Sequence, residues 1–394
     1  DNPLHAFKRV AKGARIAKPK HIFLIVGESI PQWSMDPLYM NFNICPGLRD
    51  FAADVHTACV PNFLPAGNVS RPSISSLISG IYDSGIELKE KEIFWNNTLP
   101  TALAAQIKRL GYQTIYWYGG NSSSGNFTKY GKAQGFDRIE NATEFCGPQA
   151  PQTWLGVYDH VFLEEAENRN VAMEEPTIHF VYTTTNHGPY KLEDKYLDFD
   201  ARRDLPGVGD DILNRKDSNK GLATYKYCDK AIFDFVDAMK AKFPDSLFII
   251  TGDHSNLFGE FNNTSFLHRD YTMREIRNTV FYMQHPELSQ TSLPASIGTH
   301  LSIMPTIIEA IAPKGFEYYA AVPSAFDEQP DVHVTPYQWI TSDMVGDVHG
   351  DYGQYQAYTA EPSEYIRPID NHARDAEYWR SLSAWMMKFY ANVQ

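Results

Sequence analysis

Four short segments of the chain carry residue types that could do chemistry together. Glu28 stands in Gly27-Glu28-Ser29, directly after the apolar run 21–26. Asp253 and His254 stand in Gly252-Asp253-His254, directly after the run 247–251. A carboxylate and an imidazole side by side can reach one divalent ion, both being ordinary ligands for zinc or manganese. Ser70 lies in Gly67-Asn68-Val69-Ser70-Arg71-Pro72-Ser73, ahead of a helical pattern. There its hydroxyl would sit at a helix N-terminus, with backbone N–H groups aimed at an anion. A serine is a weak nucleophile, and coordination to a metal is one way to activate it. His187, in Asn186-His187-Gly188-Pro189, follows a further strand-like run. Each residue alone has a plainer explanation: a loop carboxylate, a turn, a helix-capping serine, a surface or core histidine. The weight lies in their recurrence at equivalent strand ends.

The elements that must position them read as alternating strands and helices. Apolar runs at 21–26, 114–118, 177–182 and 247–251 are strand-sized and nearly continuous, the pattern of strands buried on both faces. Helical periodicity appears at 99–110, 225–243 and 301–311, with Pro305 near the start of the last, where proline is tolerated. This order predicts an α/β fold with a mostly parallel central sheet and helices on both faces. In such sheets ligands bind beyond the carboxyl ends of the strands. Residues 204–219 read as a surface loop. After about residue 315 the texture turns aromatic and irregular until a helical pattern at 375–390. The expected organisation is a basic lead-in over 1–20, a catalytic core over 21–315 and a smaller C-terminal subdomain over 316–394.

Composition bounds the answer. The sequence has 394 residues, 35 Lys+Arg against 48 Asp+Glu, a formal net charge of −13 and 43% hydrophobic residues, which excludes a largely disordered chain. The acidic balance argues against nucleic acid as a partner. No apolar run reaches the roughly 18 residues of a membrane helix. The lead-in carries Lys8, Arg9, Lys12, Arg15, Lys18 and Lys20, read either as a solvated linker or as a tether just outside a membrane. The four cysteines, Cys45, Cys59, Cys146 and Cys228, show no zinc spacing and allow two disulfides or free thiols.

The ordered set of motifs resembles the alkaline phosphatase/sulfatase superfamily. More narrowly, it is similar to the extracytoplasmic catalytic domains of lipoteichoic acid synthases (phosphoglycerol transferases) and phosphoethanolamine transferases. Besides the segments above, the likeness includes Tyr118-Gly119-Gly120-Asn121, Gly135-Phe136-Asp137, Tyr225 with Asp229, and Met304-Pro305-Thr306. It implies that Glu28, Ser70, Asp253 and His254 bind one divalent metal ion, zinc or manganese, and that Ser70 is the nucleophile. It implies that His187 lies at the substrate phosphate, and His268 is similar to a second histidine of the phosphoethanolamine branch. Arg71 could clamp the phosphate or only anchor its helix. Tyr118, Asn121 and Asn126 complete the candidate substrate-binding set. Formylglycine sulfatases carry a trailing arginine that Ser70-Arg71-Pro72-Ser73-Ile74 lacks, which favours phosphoryl over sulfuryl transfer. The stretch Gly125-Asn126-Phe127-Thr128 lacks an arginine found in the lipoteichoic branch, which puts phosphoglycerol in doubt.

The expected activity is therefore transfer of a phospholipid head group to a glycan acceptor through a covalent intermediate on Ser70. A phosphodiesterase or sulfatase of the same superfamily is the alternative, and a non-catalytic glycan- or protein-binding relative a further one. The likeness also implies an extracytoplasmic setting, at the periplasmic face of a bacterial inner membrane. The chain would there be a soluble domain whose N-terminal membrane segment has been removed, and that setting favours at least one disulfide.

Overall fold

The computed structural model describes residues 3–83, 96–123, 127–170, 174–256, 266, 269–356, 366–368 and 372–389. Seven strands form the central sheet: β1 His21–Gly27, β2 Thr57–Cys59, β3 Gln113–Tyr118, β4 Arg138–Asn141, β5 Thr177–Tyr182, β6 Leu247–Gly252 and β7 Phe281–Gln284. Their spatial order is β2-β7-β6-β1-β5-β3-β4. β1 pairs in parallel with β5 and β6, and β3 in parallel with β5 and β4. β7 runs antiparallel to both β6 and β2, so the sheet is mixed rather than purely parallel. The expected α/β class holds, and the one reversed strand lies towards the β2 edge.

The alternation of side chains along β1 builds a core on each face. Ile22, Leu24 and Val26 point to one side, where helices α2 Ser70–Ser79, α3 Leu103–Lys108 and α6 Ile303–Ile311 pack. Phe23 and Ile25 point to the other, against α1 Pro46–Ala53, α4 Asp159–Asn170 and α5 Lys216–Lys242. All seven residues of β1 are buried, as a strand covered on both sides must be. α5 begins inside the stretch expected as a loop at 204–219, because its Lys216–Tyr225 portion buries Ser218, Gly221 and Leu222 as well.

The C-terminal region contains a separate five-stranded antiparallel sheet, from His333–Val334 to Ile366–Pro368, followed by helix α7 Ala373–Phe389. Ile340 and Val345 of this sheet pack on Leu64 and Ile297 of the main body. Arg274 adds a buried polar tie. It makes a bidentate ion pair with Asp36 at 2.9 and 3.0 Å and also donates to Asn62 and to Gln356 at the end of the small sheet.

The basic lead-in packs on the main body. Lys8–Val10 pairs antiparallel with Glu317–Tyr319, and Phe7, Ala11 and Ile16 are buried in the core. Its charges are engaged locally: Lys8 with Glu317, Lys12 with Asp327, and Arg15 with the carbonyl of Glu309. The expectation of a disulfide is also corrected, since all four cysteines are free thiols. Among the described residues no helix is long and apolar enough to cross a membrane.

Candidate active site

Register brings the site together. Gly27 of β1 sits opposite Gly252 of β6, and Val26 opposite Tyr182 of β5. The residues that follow these strands, Glu28, Asp253-His254 and Thr183, therefore emerge side by side at one edge of the sheet. Gly252 permits this crowding, because a Cβ there would lie 2.4 Å from Thr279 Oγ1 and 2.6 Å from the carbonyl of Ile30. The chain then turns sharply at Ser29, whose φ of 55° is unusual for a residue with a side chain. That turn lets the Ser29 N–H reach Asp253 Oδ1 at 2.8 Å and its hydroxyl reach Glu28 Oε1 at 2.9 Å.

Ser70 comes from the other direction, as the first residue of α2. Val69 occupies the capping position, so the Ser70 hydroxyl is not spent on its own helix. It lies 3.1 Å from Glu28 Oε2 and 3.3 Å from His254 Nε2. The preceding turn is closed by Ser73, whose hydroxyl bonds both the N–H and the carbonyl of Gly67.

Glu28, Asp253 and His254 are buried, and their ligand atoms lie within 4.8 Å of one another. His254 Nδ1 donates to the Ser255 carbonyl at 2.5 Å, which turns Nε2 inward. Nε2 faces Glu28 Oε1 at 3.2 Å and Asp253 Oδ2 at 3.5 Å, besides Ser70. Burial opposes charge on all three groups, and their mutual interactions decide the outcome. Burial and the charge of Glu28 push Asp253 up, whereas the hydrogen bond and charge of His254 outweigh burial and hold Glu28 down. The two carboxylates in turn overcome the burial of His254 and raise it to about 10. Two carboxylates and an imidazole thus converge on a point that demands positive charge. That donor set and spacing fit a divalent cation with Ser70 Oγ as a fourth ligand.

Other expected site residues are placed differently. His187 is half-buried and close enough for its charge to act on Glu28, but it makes no hydrogen bond to the cluster among the described residues. Arg71 is exposed beside Ser70. Tyr118 is buried, stacked on Tyr182 with ring centroids 5.6 Å apart, so it lies behind the cluster rather than at an open surface. Asn121 is exposed, and its side-chain oxygen accepts from the N–H and hydroxyl of Ser123, an Asx turn that occupies it locally. Asn126 and His268 lie outside the described residues.

Sequence reading missed the residues that hold the cluster from behind. The Tyr182 hydroxyl lies 2.9 Å from Glu28 Oε2 and 3.0 Å from Asp253 Oδ2. Thr183 Oγ1 accepts the Glu28 N–H, and Asn186 Nδ2 donates to the Glu28 carbonyl. Their shared signal was position, on and just after the strand that neighbours β1. A cavity of about 780 Å³ exists elsewhere, lined by residues such as Pro294, Asp327 and Asp343, and shares no residue with the cluster.

A mixed sheet between two helical layers, with an acid–imidazole cluster and a helix-borne serine beyond its strand ends, defines an enzyme of the alkaline phosphatase superfamily. Within it, the chain belongs to the sulfatase family, whose model, described as Sulfatase, matches residues 20–311. The chain is similar to the lipoteichoic acid synthase of Staphylococcus aureus, 22% identical over 398 residues, covering 96% of this chain and 59% of that protein. It thus spans under two thirds of that relative's length. Its fold is similar to an alkaline phosphatase superfamily protein from Vibrio parahaemolyticus, with a TM-score of 0.70, 18% identity and coverage of 99% and 91% of the two chains. It is also similar to the C-terminal periplasmic domain of EptC from Escherichia coli, solved in complex with zinc, with a TM-score of 0.59, 16% identity and coverage of 84% and 96%.

Proposed function

We propose that this chain is the catalytic domain of a metal-dependent phosphotransferase that moves a phospholipid head group, phosphoglycerol or phosphoethanolamine, to a glycan acceptor outside the cytoplasm. The observation that carries the reading is the Ser70 hydroxyl, held 3.1 Å from Glu28 and 3.3 Å from His254 and free of any capping duty. Similarity to a lipoteichoic acid synthase and to a periplasmic domain supports the substrate class and the setting.

Glu28, Ser70, Asp253 and His254 would hold a divalent cation, which would supply Lewis-acid stabilisation and lower the pKa of the serine hydroxyl. Ser70 Oγ forms the new P–O bond as its proton passes to solvent. The bond from phosphorus to the diacylglycerol oxygen breaks, and that oxygen takes a proton from solvent as it leaves. An acceptor hydroxyl then takes the phosphoryl substituent from Ser70, losing its own proton as the serine regains one. His187 is a candidate to stabilise the phosphoryl charge or pass the proton in either step. His268 is a candidate for the same duty.

Intact-protein mass spectrometry after incubation with mixed phospholipids and Zn²⁺ or Mn²⁺ tests the reading. An adduct on Ser70 with the mass of phosphoglycerol or phosphoethanolamine, absent in Ser70→Ala, supports it and names the group. Release of head-group phosphate with no dependence on added glycan assigns the chain to hydrolysis instead. No metal bound at stoichiometry assigns it to a binding protein.

A further inference from the structure

Trp154 is 66% exposed, yet its ring is engaged. Its indole N–H donates to the carbonyl of Gly188 at 3.3 Å. That carbonyl also receives the Nδ1–H of His187, at 2.7 Å. The indole and imidazole rings meet nearly at right angles, 79° apart with centroids 5.2 Å from each other. Because a carbonyl only accepts, the Nδ1 of His187 carries a proton here, and Nε2 is the ring nitrogen left open.

The loop that carries Trp154 is itself built into the edge of the site. Thr153 N–H bonds the Gly156 carbonyl, and Val157 N–H bonds Gly119 just past the end of β3. Gly156 fits so closely that a Cβ would lie 2.3 Å from the Gly119 carbonyl and 2.6 Å from Thr184 Oγ1. Three residues on, Asp159 Oδ1 accepts from the N–H groups of Thr184 and Thr185 and from the Thr185 hydroxyl. Segment 153–159 therefore grips the strand-end loop 183–188 from outside, while Asn186 ties the same loop to Glu28.

We propose that Trp154 is a positioning residue for His187, fixing the tautomer and orientation of its imidazole so that Nε2 faces the reacting phosphoryl group. An exposed indole contributes little to the core, so its placement is explained by what it holds. The proposal rests on the role given to His187 above, and misplacing a reacting group by about 1 Å costs on the order of a hundredfold in rate.

The test uses the whole chain with Trp154→Ala and Trp154→Phe, the second keeping a ring but not the N–H. The first readout is the long-range ¹H–¹⁵N spectrum of the histidine rings, with His187 assigned by loss of its signals in His187→Gln. The expected result is one tautomer in the parent, and ring-nitrogen shifts that move towards each other in Trp154→Ala and by less in Trp154→Phe. The second readout is turnover of phospholipid donor, where kcat falls roughly 10- to 100-fold in Trp154→Ala with donor KM within about twofold, and Trp154→Phe recovers part of the loss. An unchanged His187 spectrum in Trp154→Ala overturns the proposal, as does a change confined to KM, which makes Trp154 a substrate contact. If the spectrum shifts but the parent transfers no head group, the positioning stands and the proposed function fails.

Discussion

The hydroxyl of Tyr182 lies 2.9 Å from Glu28 and also 3.0 Å from Asp253, so one donor serves two buried carboxylates. Other donors complete the pair: the Ser29 and Ser70 hydroxyls reach Glu28, and the Ser29 and His254 N–H groups reach Asp253 Oδ1. Tyr182 thus ties the two carboxylates together at a fixed separation. Removing an outer partner of metal ligands costs about 10- to 100-fold in affinity. Tyr182→Phe should weaken Zn²⁺ or Mn²⁺ binding by about that factor in calorimetry. Affinity equal to the parent would show that the strand ends alone set the spacing.

Ser70→Ala should lower turnover by roughly a thousandfold or more, since the bond-forming atom is removed. Its unfolding free energy should change by less than about 1 kcal/mol, below the usual loss of a helix cap, because Val69 and not Ser70 occupies the N-cap position of α2. A large loss of stability measured by urea titration would mean that the hydroxyl is structural.

Arg274→Met leaves the Asp36 carboxylate buried with its ion-pair partner gone, and takes a donor from Asn62 and from the Pro61 carbonyl. Breaking one side of a buried pair costs about 3–5 kcal/mol, and replacing both sides costs much less. Urea unfolding should show the full loss in Arg274→Met and recovery of most of it in Arg274→Met with Asp36→Leu. Equal stability of the two variants would mean that the pair does not act as a unit.

Three of the histidines that burial holds below their ordinary value make stability depend on pH most strongly. Burial holds His179 far below its ordinary value, an effect strengthened by the charge of His21, and holds His333 at about 4. Burial likewise takes His300 to about 3, against a bond to the Gly252 carbonyl. Each folded value lies below the unfolded one, so the unfolded chain binds protons first. The contribution is complete above about pH 6.5 and falls by about 1.4 kcal/mol per histidine for each pH unit below it, until the folded group titrates. Asp229, which burial pushes up to about 7, titrates with the opposite sign in the same range, so the informative quantity is a difference. Between pH 6 and 5, His333→Gln should lose less stability than the parent by about one histidine's share. Parallel curves would sink the assignment.

Much of the active-site framework was legible because it lies within short segments. Hydrophobic runs marked β1, β3, β5 and β6 nearly to the residue, since strands buried on both faces must be continuously apolar. The short strands β2, β4 and β7 were not legible, as three or four residues show too little periodicity to distinguish from loop. The packing of the lead-in was not legible from its lysines and arginines, which read as a solvated linker or a tether outside a membrane. Phe7, Ala11 and Ile16, spaced between those charges, instead bury themselves while the charges pair locally.

By itself the sequence determined which chemical groups are available at the strand ends, because an apolar run and the polar residue that ends it are adjacent in the chain. Only the tertiary structure decided which groups meet. The pairing of Gly27 with Gly252 brings together residues 28 and 253, and Tyr182, Asn186 and Trp154 act on groups that are remote in sequence. Such contacts depend on strand order and register, which arise from packing the whole sheet between its helices and leave no local trace.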